Sequence, residues 1–195
     1  METVLCICLG IGLSAACGFR IFVPLLALSV AAHAGHVQMA TGFQWVASDS
    51  ALIAFGVATV VEIGAYYIPW VDHALDMIAA PVAVVAGVLV TASLVTDMSP
   101  LLKWTLAVIA GGGAAGLVQG GTMLLRGASS VTTAGFGNPV VATAELAAAA
   151  TISILSLLAP VFIAVVVLLG LVWIARKLWL RTQTRVTAPG HPPLS

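Results

Sequence analysis

Between Pro139 and Ala175 the chain carries one charge, Glu145. As a single helix rising 1.5 Å per residue, that run would reach roughly 55 Å, nearly twice a ~30 Å hydrocarbon core. A second such run extends from Thr3 to Ala32 around a single arginine, Arg20, and would reach roughly 45 Å. A soluble core cannot cover stretches like these with polar surface, so each is expected to cross a membrane and to break on the way. The whole chain agrees: 61% of its residues are hydrophobic and 7% charged, against roughly a quarter charged in a soluble domain. The expected class is all-α, a polytopic transmembrane helix bundle. Seven Lys and Arg balance seven Asp and Glu and lie scattered along the chain, which leaves nucleic acid without a basic surface to bind.

Proline, glycine and charge then divide the runs. Gly18 and Pro24 flank Arg20, which predicts a helix over about 3–18, a break near 18–22 and a second helical piece to about 33. Pro24 would sit in the first turn of that second piece. The following polar stretch leaves the membrane, with Phe43, Trp45 and Val46 suited to the headgroup level. Further spans are expected at about 51–69, 77–96, 104–125, 139–157 and 160–176. The last two are divided at Pro160, and "RGASSVTTAGFGNP" (126–139) reads as a loop. The total is about six spans, counting the broken first element as one. They form a membrane domain over 1–178 and precede a basic, then disordered, tail at 179–195. The four basic residues of "RKLWLRTQTR" favour a cytoplasmic C-terminus. On that topology Arg126 falls on the cytoplasmic side and Lys103 on the other, beside Asp97.

Halves at 1–98 and 99–178 show weak likeness. "VVEIGA" (60–65) resembles "TAELAA" (143–148), and "AAPVAVVAGVLV" (79–90) resembles "LAPVFIAVVVLL" (158–169). Three spans repeated twice are compatible with an inverted repeat, as in many transporters, although low-complexity apolar segments resemble one another in any case. Cys6, Gly10, Ser14 and Gly18, and again Gly112, Gly116 and Gly120, form small-residue stripes that admit close helix approach. Such stripes suit a homo-oligomer or an intramolecular contact equally well.

Chemistry is expected where charge lies at membrane depth, since each such group costs roughly 2.5–3.5 kcal/mol to insert. Glu62 lies inside the second span, and Glu145 six residues after Pro139. A glutamate there suits proton transfer, cation coordination or pairing with Arg20. Arg20 is either a snorkelling anchor or, at a broken helix, a guanidinium beside a helix N-terminus where anionic groups are attracted; the flanking Gly18 and Pro24 favour the second. Arg20, Glu62 and Glu145 are therefore the candidate intramembrane polar or transport site.

Secondary candidates are Asp72, His73, Asp76, Gln119 and Asn138. Asp72, His73 and Asp76 share a helix face and could hold a cation weakly, but read first as an N-cap and acidic first turn for the third span. Asn138 before Pro139 reads as an N-cap, and Gln119 as interhelical glue. Cys6, Cys8 and Cys17 have no CxxC spacing and read as packing residues. No GxSxG, HExxH or P-loop occurs, so neither an enzyme, a metal nor a cofactor is expected. The expected partners are the lipid bilayer and an unidentified small ion or solute.

The combination of "GFRIFVPLL", Glu62 running into "IPWVDHALD", and "GNPVVATAE" resembles the bacterial membrane family called domain of unknown function 4126, over roughly residues 8–172. The resemblance implies an integral protein of the bacterial cytoplasmic membrane. It places Arg20, Glu62, Asp72, Asp76, Asn138 and Glu145 on the family's recurrent polar positions. An Asp-Lys pair commonly stands where this chain has Tyr66 and Tyr67, so any ion-coupling role that needs the pair does not carry over. The expectation is a small transporter or channel-like protein; the alternative is a non-transporting assembly or lipid-interacting protein whose charges fix helix packing.

Overall fold

A computed structural model describes residues 2–96, 98–133 and 136–186. The side chains of residues 69, 70, 72, 73, 76, 174, 175 and 178–186 lie outside the description, as do Asp97 and the end of the tail. Among the described residues all the regular structure is helical: α1 (Glu2–Cys17), α2 (Phe22–His33), α3 (Asp49–Ala65), α4 (Pro69–Leu94), α5 (Pro100–Leu106), α6 (Gly113–Thr133), α7 (Asn138–Leu158) and α8 (Pro160–Val186). A short 3-10 turn at Gln44–Ala47 precedes α3, and a π-helical stretch at Ala107–Gly112 joins α5 to α6 without a break.

Three helical stretches are long and apolar enough to cross a membrane: Met77–Leu94, Pro100–Thr133 and Asn138–Leu158. Glu2–Cys17, Phe22–His33 and Pro160–Trp173 are apolar but shorter. The exterior carries large apolar side chains such as Ile53, Val60, Leu124, Val140 and Leu169, a surface that water would reject and lipid accepts.

The predicted break in the first element is present. Gly18 and Phe19 turn back onto the carbonyls of Ala15 and Ala16, and the helix resumes at Phe22 with Pro24 in its first turn. Gly18 is required at the bend, because a Cβ there would lie 2.6 Å from the Ala115 carbonyl oxygen. Pro160 likewise separates α7 from α8, where Ala159 leaves helical geometry.

The core is centred on α1, packed against α4, α6, α7 and α8. Its small-residue stripe works within the chain. Gly10 meets Thr91, and the Ser14 hydroxyl donates to the Gly87 carbonyl (2.7 Å) and bonds the Thr91 hydroxyl (2.9 Å). At the same two residues of α4 the π-helical stretch also comes close: a Cβ on Gly87 would lie 2.7 Å from the Gly111 carbonyl oxygen, and one on Gly111 would meet Thr91. Gly112 and Gly116 face Val84 and Val88 of the same helix. Leu13, Leu28, Val90 and Leu94 fill the remaining interior.

Four expectations need correction. "VDHALD" is not a link: α4 starts at Pro69, where Ile68 is extended and proline takes the first turn, as the restriction on a residue before proline favours. Second, α3 covers Asp49–Ala65 and stops short of the expected end of that span near 69, so Glu62 lies in its last turn. Third, residues 126–133 are helical rather than loop. Their hydroxyls bond back along the helix, Thr132 to Ala128 (2.8 Å) and Thr133 to Ser129 (2.7 Å), which keeps a polar segment in α6. Fourth, Val46 is buried, its carbonyl accepting from the Ser29 hydroxyl at 2.6 Å, while Trp45 is exposed.

Candidate functional site

The break between α1 and α2 leaves the first backbone N–H groups of α2 without intrahelical partners. Glu62 fills that role from α3. One carboxylate oxygen accepts from Ile21 N at 2.8 Å and the other from Phe22 N at 3.1 Å. A carboxylate at a helix N-terminus also meets the positive end of the helix dipole. The anionic group expected at this N-terminus is therefore the protein's own glutamate, brought from a different helix.

Arg20, one residue before these donors, points the other way, toward α7. Its Nη2 donates to the Ala142 carbonyl at 2.9 Å and lies 3.7 Å from a Glu145 oxygen. Glu145 in turn receives both Nε (3.0 Å to Oε1) and Nη2 of Arg126 from α6, the planar fork that suits a carboxylate. Tyr66, just past the end of α3, lies between the cations: its ring centre is 3.7 Å from the Arg20 guanidinium carbon and 4.6 Å from that of Arg126. All four charged groups are buried, with Arg20 2% exposed, Arg126 4%, Glu145 5% and Glu62 7%.

The three predicted residues thus converge with a division of labour. Arg20 and Glu145 are neighbours. Glu62 reaches them through the α2 start and not through an ion pair with Arg20. Two members, Arg126 and Tyr66, were not expected. Arg126 lies in α6 and not in the expected cytoplasmic loop, and the sequence carries a signal for it: Gln119, Thr122 and Arg126 recur at helical spacing, and all three are buried as one inward polar stripe. On α7 the matching stripe is Asn138, Ala142, Glu145, Ala149, Ser153 and Ser156.

The secondary candidates separate. Gln119 is buried two turns before Arg126 on α6, outside the cluster itself. Asn138 does not cap α7, whose start has no side-chain cap; its amide nitrogen instead donates to Ser130 Oγ on α6 at 3.3 Å. Asp72, His73 and Asp76 lie on the early turns of α4, and their side chains are outside the described residues. No group of three His, Cys, Asp or Glu side chains able to hold a metal occurs among the described residues.

Charge balances within the cluster: two arginines face two glutamates. Donor and acceptor count does not. Nε and Nη1 of Arg20 are buried and donate to no acceptor among the described residues. Buried polar groups are normally satisfied, and an unmet charged donor is costly. Arg20 therefore has spare capacity to bind an acceptor.

An apolar helix bundle with a buried cluster of two arginines and two glutamates at a helix break defines a class: an all-helical membrane protein with a buried arginine-glutamate site. Within that class, the chain belongs to the family described as domain of unknown function DUF4126, whose pattern matches residues 7–180. No curated protein and no solved structure matches it.

Proposed function

We propose that this is a multi-pass protein of the bacterial cytoplasmic membrane that carries a small anion together with a proton, using Arg20 as the anion-binding residue. The single observation that carries this reading is the pair of unmet Arg20 donors inside a cluster already neutral in charge. An anion added alone would leave the buried site with a net negative charge, which a low-dielectric interior opposes strongly. A proton added with it restores balance. Of the two carboxylates, Glu145 is held by the Arg126 fork, whereas Glu62 is held only by two backbone N–H groups and lines the large groove beside it. Glu62 is the proton carrier in this scheme. The groups around it are Arg20 at the break, Tyr66 past the end of α3 and the Cys17 thiol at the end of α1. Protonation would release the α2 start and open the helix break on which Arg20 sits.

A cytoplasmic C-terminus is supported by the basic run from Arg176 onward. An inverted repeat of three spans would pair α3 with α7, each of which supplies one glutamate to the cluster.

The test is reconstitution in sealed vesicles holding a pH-sensitive dye, with chloride, nitrate and phosphate added in turn under an anion gradient. The expected result is a proton signal with at least one anion, lowered tenfold or more in Arg20→Gln and in Glu62→Gln. A second reading, that the charges only fix helix packing, is favoured by the Arg126 fork on Glu145. It predicts strong coupling between Arg20 and Glu145 in a double-mutant cycle on stability and no flux with any anion.

A further inference from the structure

The helices that carry the cluster leave a lateral opening. While α3 packs on α2 and on the 3-10 turn, a groove of about 670 Å³ separates it from α4. Ala54, Ala58 and Val61 of α3 face Ile78 and Val82 of α4 across it, and the polar groups at its lining are Glu62 and Tyr66. A smaller groove of about 260 Å³ shares Ile21, Phe22 and Val82 with it and runs on past Leu25, Phe55 and Leu89. Together they make an apolar trough along the outer surface, with the start of α2 between its two parts.

The polar part of this trough adjoins the cluster. Ile21 and Phe22, whose N–H groups hold Glu62, line both parts of the trough. Tyr66 is common to both sites, since it lines the groove and its ring carries the Arg20 guanidinium. Apolar volume open to the side, together with unmet cationic donors behind one aromatic ring, describes a ligand with a hydrocarbon tail and an anionic head. The volume is in the range of a small-molecule site, ~300–1,000 Å³, which suits one alkyl chain. The surrounding lipid solvates an alkyl tail as well as the groove does, so the groove fixes where the tail lies and the cationic head site supplies the selectivity.

We propose that the α3–α4 groove binds a single-chain anionic amphiphile, an alkyl carboxylate, with its tail along Ala58, Val61 and Val82 and its head directed past Tyr66 to Arg20. This deepens the anion-transport reading by naming the class of anion, and it rests on that reading for the head site alone.

The probe is a C16 alkyl carboxylate carrying a photoreactive diazirine on its tail, offered to the full chain in phosphatidylcholine nanodiscs. Hexadecyltrimethylammonium serves as the cationic competitor. Saturable labelling is expected, with the adducts mapping to α3 and α4 residues of the groove. Ala58→Trp and, as a second filling variant, Val61→Trp are expected to lower labelling tenfold or more. The cationic competitor should displace it at least tenfold less well than unlabelled alkyl carboxylate. Adducts spread evenly over the lipid-facing helices, or equal displacement by the cation, would overturn the proposal. So would displacement only by a two-chain anionic phospholipid. The vesicle assay separates the two readings. Chloride-, nitrate- or phosphate-driven proton flux unchanged in Ala58→Trp, with no groove labelling, leaves the transport reading standing and ends this one. Groove labelling that is sensitive to Arg20→Gln, with no flux of any anion, leaves a binding site and ends the transport reading.

Discussion

At the scale of single residues, the fork between Arg126 and Glu145 is the contact whose loss should be felt most. Removing one partner of a buried pair leaves the other charge uncompensated, at a cost of roughly 3–5 kcal/mol. Arg126→Met is expected to destabilise the protein by about that amount in detergent unfolding, and Glu145→Leu by a similar amount. The double variant Arg126→Met, Glu145→Leu should recover most of the loss. Two single losses that simply add would show that the pair is not coupled. Glu62 should behave differently, because its partners are backbone N–H groups and Gln keeps an acceptor oxygen. These residues also show what the sequence could and could not tell. Glu62 and Glu145 stood out because a charge within an apolar run is costly wherever it lies. Arg126 did not, because it sits where an apolar run gives way to Ser, Thr and Gly, the composition of a loop. Only its spacing from Gln119 and Thr122 marks it as inward-facing.

At the scale of elements, the fold depends on close helix approach at glycine. Gly87 on α4 and Gly111 in the π-helical stretch come so near that a Cβ on Gly87 would meet a backbone oxygen and the Ala115 side chain, each at 2.7 Å. Backbone cannot shift as a flexible side chain can, so Gly87→Ala should cost about 1–3 kcal/mol. Gly113, one residue beyond the π-helical stretch, has nothing within 4 Å of such a Cβ. Gly113→Ala should instead stabilise by roughly 0.5–1 kcal/mol, the helix preference of alanine over glycine. Thermal unfolding of both variants checks the pair, and opposite signs are expected. Breaks were the most legible feature at this scale: Gly18, Pro24 and Pro160 each mark a division that the structure contains. Starts and ends were less legible. Pro69 opens α4 eight residues before the expected span, because polar residues continue a helix as readily as they leave one when proline has already set its first turn.

At the scale of the whole molecule, a central α1 is surrounded by helices that meet at one buried arginine-glutamate cluster, with an apolar exterior and a lateral groove that borders the cluster at Glu62 and Tyr66. The class was plain from hydropathy alone, since runs of 30 or more residues with one charge leave no soluble alternative. The assembly of the site was not plain, because Arg20, Glu62, Tyr66, Arg126 and Glu145 lie on four separate stretches of chain, and no local pattern says which helices adjoin. The central claim is that Arg20 sits at membrane depth and is not an interfacial anchor. It is tested most directly by placing single cysteines at Phe19 and Ile21 in a variant with Cys6, Cys8 and Cys17 replaced by alanine. Sealed vesicles are then treated from each side with a charged, membrane-impermeant thiol reagent. Both positions are expected to react far more slowly from either side than a cysteine at the exposed Trp45. Rapid labelling of both from one side would place Arg20 at the membrane surface and contradict the account.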